Sequence, residues 1–287
     1  GLLAKRNPVF EEVAYRNTKL LCACTHNGLL YGGPMYVSAG EPPCVHHTFC
    51  HAKAIATLLE HDIQPKGGRK LPRELAQGVK YFPSVHVALL ARGKWRATVS
   101  DYDFEYVDEG HATGGAITML WHEEAGPLIA GTMTQYHLVE PNNMQIPQYT
   151  GNICLTPRIE YKKEGVYYRS INDKNAIVTY TDGETISVDV TGKLVDGKQN
   201  GDIRFKANYL FSTEEVQIKV QAEIEDAVYY LPIISRNTEP IRFVNERYVE
   251  IIKDSVIVDI KSNLPLHING NKANRIFNPV GGFEAIP

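Results

Sequence analysis

The segment CVHHTFCH, at positions 44–51, combines histidine and cysteine side chains at spacings that can support chemistry. On a helix, His47 and His51 are four residues apart and share a face. Such a pair binds zinc when further ligands complete the site, and Cys44 is close enough in sequence to be one of them. The glutamate of an HExxH motif is missing, however, so a third ligand has to come from elsewhere. Two alternatives stay open: packing or capping against a neighbouring helix, and a cluster that faces a substrate.

Tyrosine and histidine side chains also surround the loop that precedes this segment, LLYGGPMYVSAGEPPC. Tyr31 and Tyr36 lie inside the loop, His26 comes just before it, and His46 and His47 follow it. Phenol and imidazole groups are the ones that move protons at the carbon and oxygen atoms of sugars. These five residues are therefore candidates for a proton-transfer site. The alternative for the two tyrosines is that they only pack a rigid loop rich in Gly and Pro.

Two helices must position these groups. Asn7-Pro8 predicts the start of the first helix, with asparagine as the N-cap and proline at the first helical position. Asn27-Gly28 predicts its end. Apolar residues at spacings of four and three predict a second helix over 45–61. Its apolar stripe consists of Val45, Phe49, Ala52, Ala56 and Leu59.

The chain changes character after these helices. Residues 64–78 indicate a linker, because they are rich in Pro, Gly and basic side chains. From residue 79 onward, nearly every segment is rich in β-branched and aromatic residues and is bounded by Gly, Asn or Asp. We therefore predict a mostly β protein with a short N-terminal α region: a helical hairpin at 1–63, the linker, and a large antiparallel β-sandwich at 79–287. A smaller β subdomain at the C-terminus is an alternative within that last range.

The composition excludes several classes of protein. The 287 residues are 22% charged with a formal net charge of −3, which is typical of a globular domain and not of a disordered or nucleic-acid-binding chain. No stretch approaches the roughly 20 apolar residues of a membrane span. The five cysteines, an odd number, predict buried free thiols. Basic residues cluster within one stretch, which indicates either a solvated linker and an exposed hairpin or a patch that steers an acidic polymer. They are Lys66, Arg69, Lys70, Arg73, Arg92, Lys94 and Arg96.

The first part of the β region carries a recognisable order of motifs. YFPSVHVALLARGKW is a strand pair that begins with Phe-Pro and carries an Arg, and EGHATGGAITMLWHEEAGPLIAGTM adds a His-bearing Gly-rich turn and two more strands. This order, over residues 75–135, resembles the β-sandwich of heparinase II/III-type polysaccharide lyases. It is also similar to the sandwich of the chondroitin and hyaluronate lyases. The turn usually reads HxHxD in the heparinase II/III family. Here it starts at His111 and continues Ala-Thr-Gly-Gly, so only the first histidine is kept.

The resemblance implies a particular domain organisation. In that family the sandwich follows an (α/α) toroid, so residues 1–63 correspond to the end of a toroid-like domain. The chain begins at GLLAKRNPVF without an initiator methionine. We therefore expect an N-terminal helical region, absent from this sequence, to pack on residues 1–63. The resemblance also implies a periplasmic or secreted protein that acts on an acidic polysaccharide, with no nucleic-acid partner.

The resemblance further implies cleavage of uronate-containing glycans by β-elimination. Tyr31 or Tyr36 would act as the acid or base, and His46 or His47 as the base or as the group that neutralises the uronate. The remaining candidates are His111 as the matching histidine of the β domain, Arg92 for the substrate carboxylate, and His26 and Trp121 as sugar-binding residues. No cofactor is required for this chemistry. A divalent metal bound by His47, His51 and Cys44 is the alternative.

Two other functions stay open at this stage. The altered HxHxD-like turn favours a non-catalytic β-sandwich that binds carbohydrate or supports another domain. A glycoside hydrolase on a toroid-plus-sandwich frame needs two carboxyl groups about 5–9 Å apart. The carboxylates available near the candidate segments are those of Glu41, Glu109, Glu123 and Glu124, and nothing in the sequence pairs them.

Overall fold

The computed structural model describes residues 2–61, 66–101, 112–134, 154–268, 275–278 and 282–287. The chain divides into two compact units. Among the described residues, the first unit holds those up to Ala76 together with Gly282 and Phe283, and the second unit holds the remainder. No helix in these ranges is long and apolar enough to cross a membrane. All five cysteines carry free thiols, as predicted, but the prediction that they are buried is wrong for Cys22 and Cys50, which are exposed on the helices.

The first helix of the N-terminal unit, α1 (Val9–Ala23), begins where the sequence predicts. The side chain of Asn7 accepts a hydrogen bond from the Val9 N–H at 2.9 Å, which caps the helix. The predicted end at Asn27-Gly28 is wrong. The helix stops at Ala23, and Asn27 and Gly28 have φ angles of 50° and 78°. Two left-handed residues in succession form the turn of a tight hairpin. Its strands are β1 (Thr25–His26) and β2 (Leu29–Leu30).

The described part of this unit also holds α2 (Tyr36–Ala39), α3 (Val45–Glu60) and α4 (Pro72–Leu75), and a short 3-10 helix (Leu2–Lys5) precedes α1. The bounds of α3 agree with the prediction to within one residue. Its apolar stripe does not pack inside the described unit, since the exposed fraction is 71% for Phe49 and 69% for Leu59. No residue of α3 is buried. The helical period therefore predicted the helix correctly, whereas the face that the stripe marks lies at the surface.

The described part of the predicted linker, from Lys66 onward, is docked on α1. Its anchor is Glu12, which is only 3% exposed. The carboxylate of Glu12 accepts hydrogen bonds from the Arg69 N–H at 2.8 Å and from Nε of Arg16 at 2.6 Å. Pro72 at the start of α4 suits the first helical position. This segment thus belongs to the packed structure of the first unit.

The second unit consists of antiparallel sheets. A five-stranded sheet holds β3 (Gly78–Phe82), β4 (Val87–Arg92), β5 (Trp95–Ser100), β6 (Ala116–His122) and β7 (Gly126–Ala130) in this order. A four-stranded sheet holds β10 (Ile177–Asp182), β11 (Ile186–Leu194), β12 (Ile203–Phe211) and β13 (Val216–Ala222). Neighbouring strands in both sheets are consecutive in the chain and antiparallel.

Three smaller sheets complete the second unit. One has the order β14 (Val228–Tyr230), β8 (Arg158–Lys163) and β9 (Val166–Arg169). Another has the order β16 (Ile241–Asn245), β17 (Tyr248–Lys253) and β18 (Val256–Lys261). The third, near the C-terminus, has the order β15 (Ile233–Ile234), β20 (Phe283–Ile286) and β19 (Ile276–Asn278).

One hydrophobic core joins the larger sheets. Along β11, Ile186, Val188 and Val190 are buried, and the residues between them are more exposed, which is the period of a strand with one covered face. Leu90 of β4 and Val99 of β5 are fully buried in the same cluster. Side chains from the five-stranded and four-stranded sheets therefore meet in one interior. The prediction of a mostly β fold with an antiparallel sandwich after a helical region is confirmed.

Candidate functional site

The hairpin and the start of α3 are joined through the backbone of Leu30. Its carbonyl oxygen accepts a hydrogen bond from the Cys44 N–H at 2.8 Å. Its N–H donates to Oγ1 of Thr48 at 2.9 Å, and that hydroxyl in turn donates to the carbonyl oxygen of Cys44. Leu30 itself is buried. These bonds fix the residue that follows, Tyr31, beside the first turn of the histidine-bearing helix.

Tyr31 and His26 form a ring pair on the hairpin. Their ring centroids are 6.3 Å apart in an edge-on arrangement. The Tyr31 N–H donates to the carbonyl oxygen of Cys24 at 2.9 Å, which holds the tyrosine backbone against the end of α1. The side chain of Tyr31 is half-buried and that of His26 is exposed. The arrangement presents a phenol and an imidazole together at the surface, which is a pair of groups able to exchange protons with a bound molecule.

The histidines of α3 form a second cluster. The ring centroids of His46 and His47 are 5.7 Å apart, and those of His47 and His51 are 6.2 Å apart. Nε2 of His46 lies 3.5 Å from Sγ of Cys50. The helical spacings of one and four residues bring these side chains together, as the sequence predicts. The side chains of His46 and His51 are exposed, so a ligand can reach both imidazoles.

Cys44 has a structural task at the start of α3. Its Sγ accepts a hydrogen bond from the His47 N–H at 3.3 Å, so the thiol acts as the N-cap of the helix. Within the described ranges, His, Cys, Asp and Glu side chains form no group of three or more that could hold a metal ion. The alternative with His47, His51 and Cys44 as metal ligands thus gains no support from the geometry.

Tyr36 lies in the interior of the first unit, with 5% of its surface exposed. A Cβ atom built on Gly282 would come 2.8 Å from a ring atom of Tyr36, and a Cβ atom on Gly33 would come 2.7 Å from the Gly282 carbonyl oxygen. The two glycines therefore allow a close approach of backbone to ring. The position favours the packing alternative for Tyr36, whose catalytic role stays a prediction.

The other predicted site residues belong to the second unit, except that His111 lies outside the described residues. Nη2 of Arg92 donates to Oδ1 of Asp182 at 2.7 Å and to the Gly183 carbonyl oxygen at 2.8 Å. Its guanidinium is therefore already paired with a carboxylate of the protein. Trp121, on β6, is partly buried, so only part of its ring is available to a sugar.

Sequence reasoning missed one group of side chains, on the sheet that contains β8 and β9. We call it the β8–β9 face, and it consists of Arg158, Glu160, Lys162, Tyr167, Arg169 and Tyr230. The signal was present in RIEYKK and VYYR, where charged and aromatic residues recur at every second position. The cross-strand register needed to join the two segments could not be read from the sequence.

Comparison with known protein families gives two matches that together cover almost the whole chain. Residues 1–74 match the ulvan lyase N-terminal domain. Residues 79–287 match the ulvan lyase C-terminal domain. The matches support the coarser sequence expectation, a polysaccharide lyase, and do not point specifically to the heparinase II/III type.

A curated relative agrees with these matches. It is described as a broad-specificity ulvan lyase of Formosa agariphila, and it is 42% identical over 304 aligned residues. The alignment covers 100% of this chain and 47% of the relative, so the chain spans about half the length of that protein. None of the solved structures compared with the chain matches it.

Proposed function

Because the chain belongs to the ulvan lyase family, we propose that it acts in the cleavage of ulvan by β-elimination. Ulvan is a sulfated polysaccharide that contains uronate. The proposal concerns the activity of the whole protein. This chain aligns with about half the length of the curated relative. The observation that carries it is the Tyr31–His26 ring pair, held by the Leu30 backbone beside the exposed imidazoles of α3.

The chemistry requires a base, an acid and a group that neutralises charge. The base removes the C5 proton of the uronate, and the electron pair of that C–H bond forms the C4=C5 double bond. The glycosidic C4–O bond breaks, and the acid protonates the leaving oxygen. The C5 proton becomes acidic only when the neighbouring carboxylate is neutralised, since negative charge develops on it in the transition state.

In the proposed assignment, Tyr31 removes or supplies the proton, because its hydroxyl group is on a half-exposed ring at a rigid position. His26 lies against that ring and contacts the substrate. His46 or His47, when protonated, neutralises the uronate carboxylate. His46 is exposed, which suits contact with a bulky polymer.

The predicted roles of the second unit are secondary in this proposal. Asp182 already balances the charge of Arg92, so the neutralising task falls to a histidine in preference to Arg92. His111 and Trp121 stay predicted contributors, the first as the histidine of the β domain and the second as a sugar-binding ring. No metal is required, because the histidines supply the positive charge.

We also propose that the protein is related in architecture to the heparinase II/III-type lyases and is periplasmic or secreted. The order of motifs over residues 75–135 supports the relationship in architecture. A polymeric substrate supports a periplasmic or secreted location, because a polysaccharide must first be degraded outside the cytoplasm. A signal sequence in the gene and activity in the culture medium would test the location.

The proposal is tested by incubating the chain with ulvan and following the ultraviolet absorbance of the unsaturated uronate. Mass spectrometry of the products then separates elimination from hydrolysis, because hydrolysis adds a water molecule and leaves no double bond. Unsaturated products, formed equally with and without a chelator, are the expected result. Products that carry the added water would replace the proposal with a glycoside hydrolase. Binding without any cleavage, in the chain and in the full-length protein, would replace it with a carbohydrate-binding scaffold.

A further inference from the structure

We infer that the β8–β9 face binds a sulfated sugar unit of the polysaccharide. This inference rests on the proposed function for the identity of the polymer. The binding itself is a separate property of the second unit and requires no catalysis. No family match or relative assigns a role to these residues.

The register of the three strands aligns the side chains. Glu160 of β8 lies directly opposite Arg169 of β9, and Lys162 lies opposite Tyr167. On the other side of β8, Arg158 lies opposite Tyr230 of β14. Residues two apart on a strand and those directly opposite on its neighbours share one face of a sheet. The face thus brings three cationic and two aromatic side chains together around the Glu160 carboxylate.

The outer part of the face is accessible. Tyr167 is 38% exposed and Lys162 is exposed. Nζ of Lys162 lies 4.7 Å from the centroid of the Tyr167 ring, and Cζ of Arg169 lies 4.8 Å from it. These are cation–π distances, so one ring holds two cations next to each other. An ammonium and a guanidinium beside an aromatic surface match the two parts of a sulfated sugar, its sulfate group and its apolar ring face.

The inner part of the face holds the outer part in place. Oε2 of Glu160 accepts a hydrogen bond of 2.8 Å from Nε of Arg158 and another of 2.8 Å from Nε of Arg169. Arg158 also donates to the Cys154 carbonyl oxygen and stacks 4.4 Å from the centroid of the Tyr230 ring. Although burial by itself raises the pKa of Glu160, the two arginines hold that pKa below its ordinary value. The carboxylate therefore stays charged and fixes both guanidinium groups.

The charge of the face favours an anionic ligand. Three cations and one carboxylate leave a surplus of two positive charges on six residues. All residues of the face except Lys162 line a cleft of about 2000 Å³, which is roomy enough for several sugar units. The rest of the lining carries both signs of charge, with the carboxylates of Glu214, Glu215 and Asp259 and the ammonium groups of Lys219 and Lys261. The surplus positive charge of the β8–β9 face attracts a sulfate group of a polymer bound there.

The experiment measures equilibrium binding of chemically modified ulvan. Carboxyl-reduced ulvan keeps its sulfate groups but cannot undergo elimination, so it is not consumed. Desulfated ulvan is the comparison. We expect Lys162→Ala and Tyr167→Ala each to weaken binding of the carboxyl-reduced polymer by roughly 3- to 10-fold. Lys163→Ala is the matched control, because Lys163 is an exposed lysine next in the chain that points to the opposite side of the strand.

The outcomes separate the inference from the proposed function. Binding that requires sulfate, is weakened by the two variants and is unchanged in Lys163→Ala supports the inference, whether or not the protein cleaves ulvan. Equal binding by all variants, equal binding of the desulfated polymer, or no binding at all overturns it. In any of those cases, formation of unsaturated products from native ulvan leaves the proposed function intact. Lys162 is exposed, so its truncation leaves the fold in place and makes a lost interaction interpretable.

Discussion

Arg16 holds Glu74 through a two-pronged ion pair across 58 residues of sequence. Nη1 donates to Oε1 at 2.7 Å, and Nη2 donates to Oε2 at 2.9 Å. The Nε of the same guanidinium donates to Glu12 one turn earlier on α1. A planar guanidinium can satisfy two carboxylates in this way, whereas an ammonium group cannot. This single residue therefore fastens the segment 66–76 to α1, the helix that precedes the β1–β2 hairpin.

Replacing Arg16 should release that segment. The N–H groups of Arg69 and Leu71 donate to the carboxylates of Glu12 and Glu74 at 2.8 and 2.6 Å, and these acceptors depend on Arg16 for their position. In Arg16→Ala, hydrogen-exchange protection of these two amides should fall about 10- to 100-fold, since hydrogen bonds to charged groups contribute about 1.5–3 kcal/mol. Arg16→Lys should restore only part of it. Unchanged protection in Arg16→Ala would show that the segment is held by other contacts, and Arg6→Ala serves as the control.

The same ion pairs predict a dependence of stability on pH. The hydrogen bonds from Arg16 lower the pKa of both Glu12 and Glu74 below 4.5. A carboxyl group whose pKa is lower in the folded state stabilises the fold above its unfolded pKa, and this contribution disappears as the pH falls through the folded value. The difference in melting temperature between wild type and Arg16→Ala should be largest near neutral pH and should shrink below pH 4.5. A difference that stays constant down to pH 3 would contradict this assignment.

The close approach at Gly33 predicts a steric effect. A Cβ atom there would lie 2.7 Å from the carbonyl oxygen of Gly282, so backbone has to move. Gly33→Ala should destabilise the first unit by about 1–3 kcal/mol, as overpacking does, and should disturb the loop around Tyr36. Gly183→Ala is the control, because its nearest neighbour would be 3.7 Å away. Equal denaturant midpoints for both variants would rule out tight packing at Gly33.

Because the apolar face of α3 is exposed, substitutions on it should have little effect on the stability of this chain. Phe49 is 71% exposed, so Phe49→Gln should change the free energy of unfolding by no more than about 0.5 kcal/mol. The prediction that a preceding helical region packs on residues 1–63 adds a second expectation, for a longer protein that contains such a region. There the same substitution should lower the melting temperature. An unchanged melting temperature of Phe49→Gln in the longer protein would show that the preceding region does not pack on α3.

The fold was largely predictable because burial on one side of a strand leaves a direct trace in the sequence. The alternation of Ile186, Val188 and Val190 marks β11 without any knowledge of its partners. The end of α1 was not predictable, because Asn-Gly suits both a helix end and a hairpin turn. Only the pairing of Thr25 with Leu30 decides between the two.

The candidate site was predictable only where its members are close in sequence. His46, His47 and His51 come together through helical spacing alone. The burial of Tyr36 depends on Gly282, and the docking of the predicted linker depends on Arg16 and Glu74. Contacts over such separations are set by the tertiary fold, and a single sequence carries no local signal for them. The β8–β9 face could not be predicted for the same reason, because the sequence does not give the register in which its strands pair.

In the proposed mechanism, the Tyr31 hydroxyl group transfers a proton in the elimination reaction. The most direct measurement compares the rate of unsaturated uronate formation from ulvan in wild type, Tyr31→Phe and Tyr15→Phe, in the chain or in the full-length protein. Tyr15 is another partly buried tyrosine of the first unit and controls for loss of a hydroxyl group. We expect a loss of roughly 10²- to 10⁴-fold in Tyr31→Phe and the wild-type rate in Tyr15→Phe. A wild-type rate in Tyr31→Phe would contradict it.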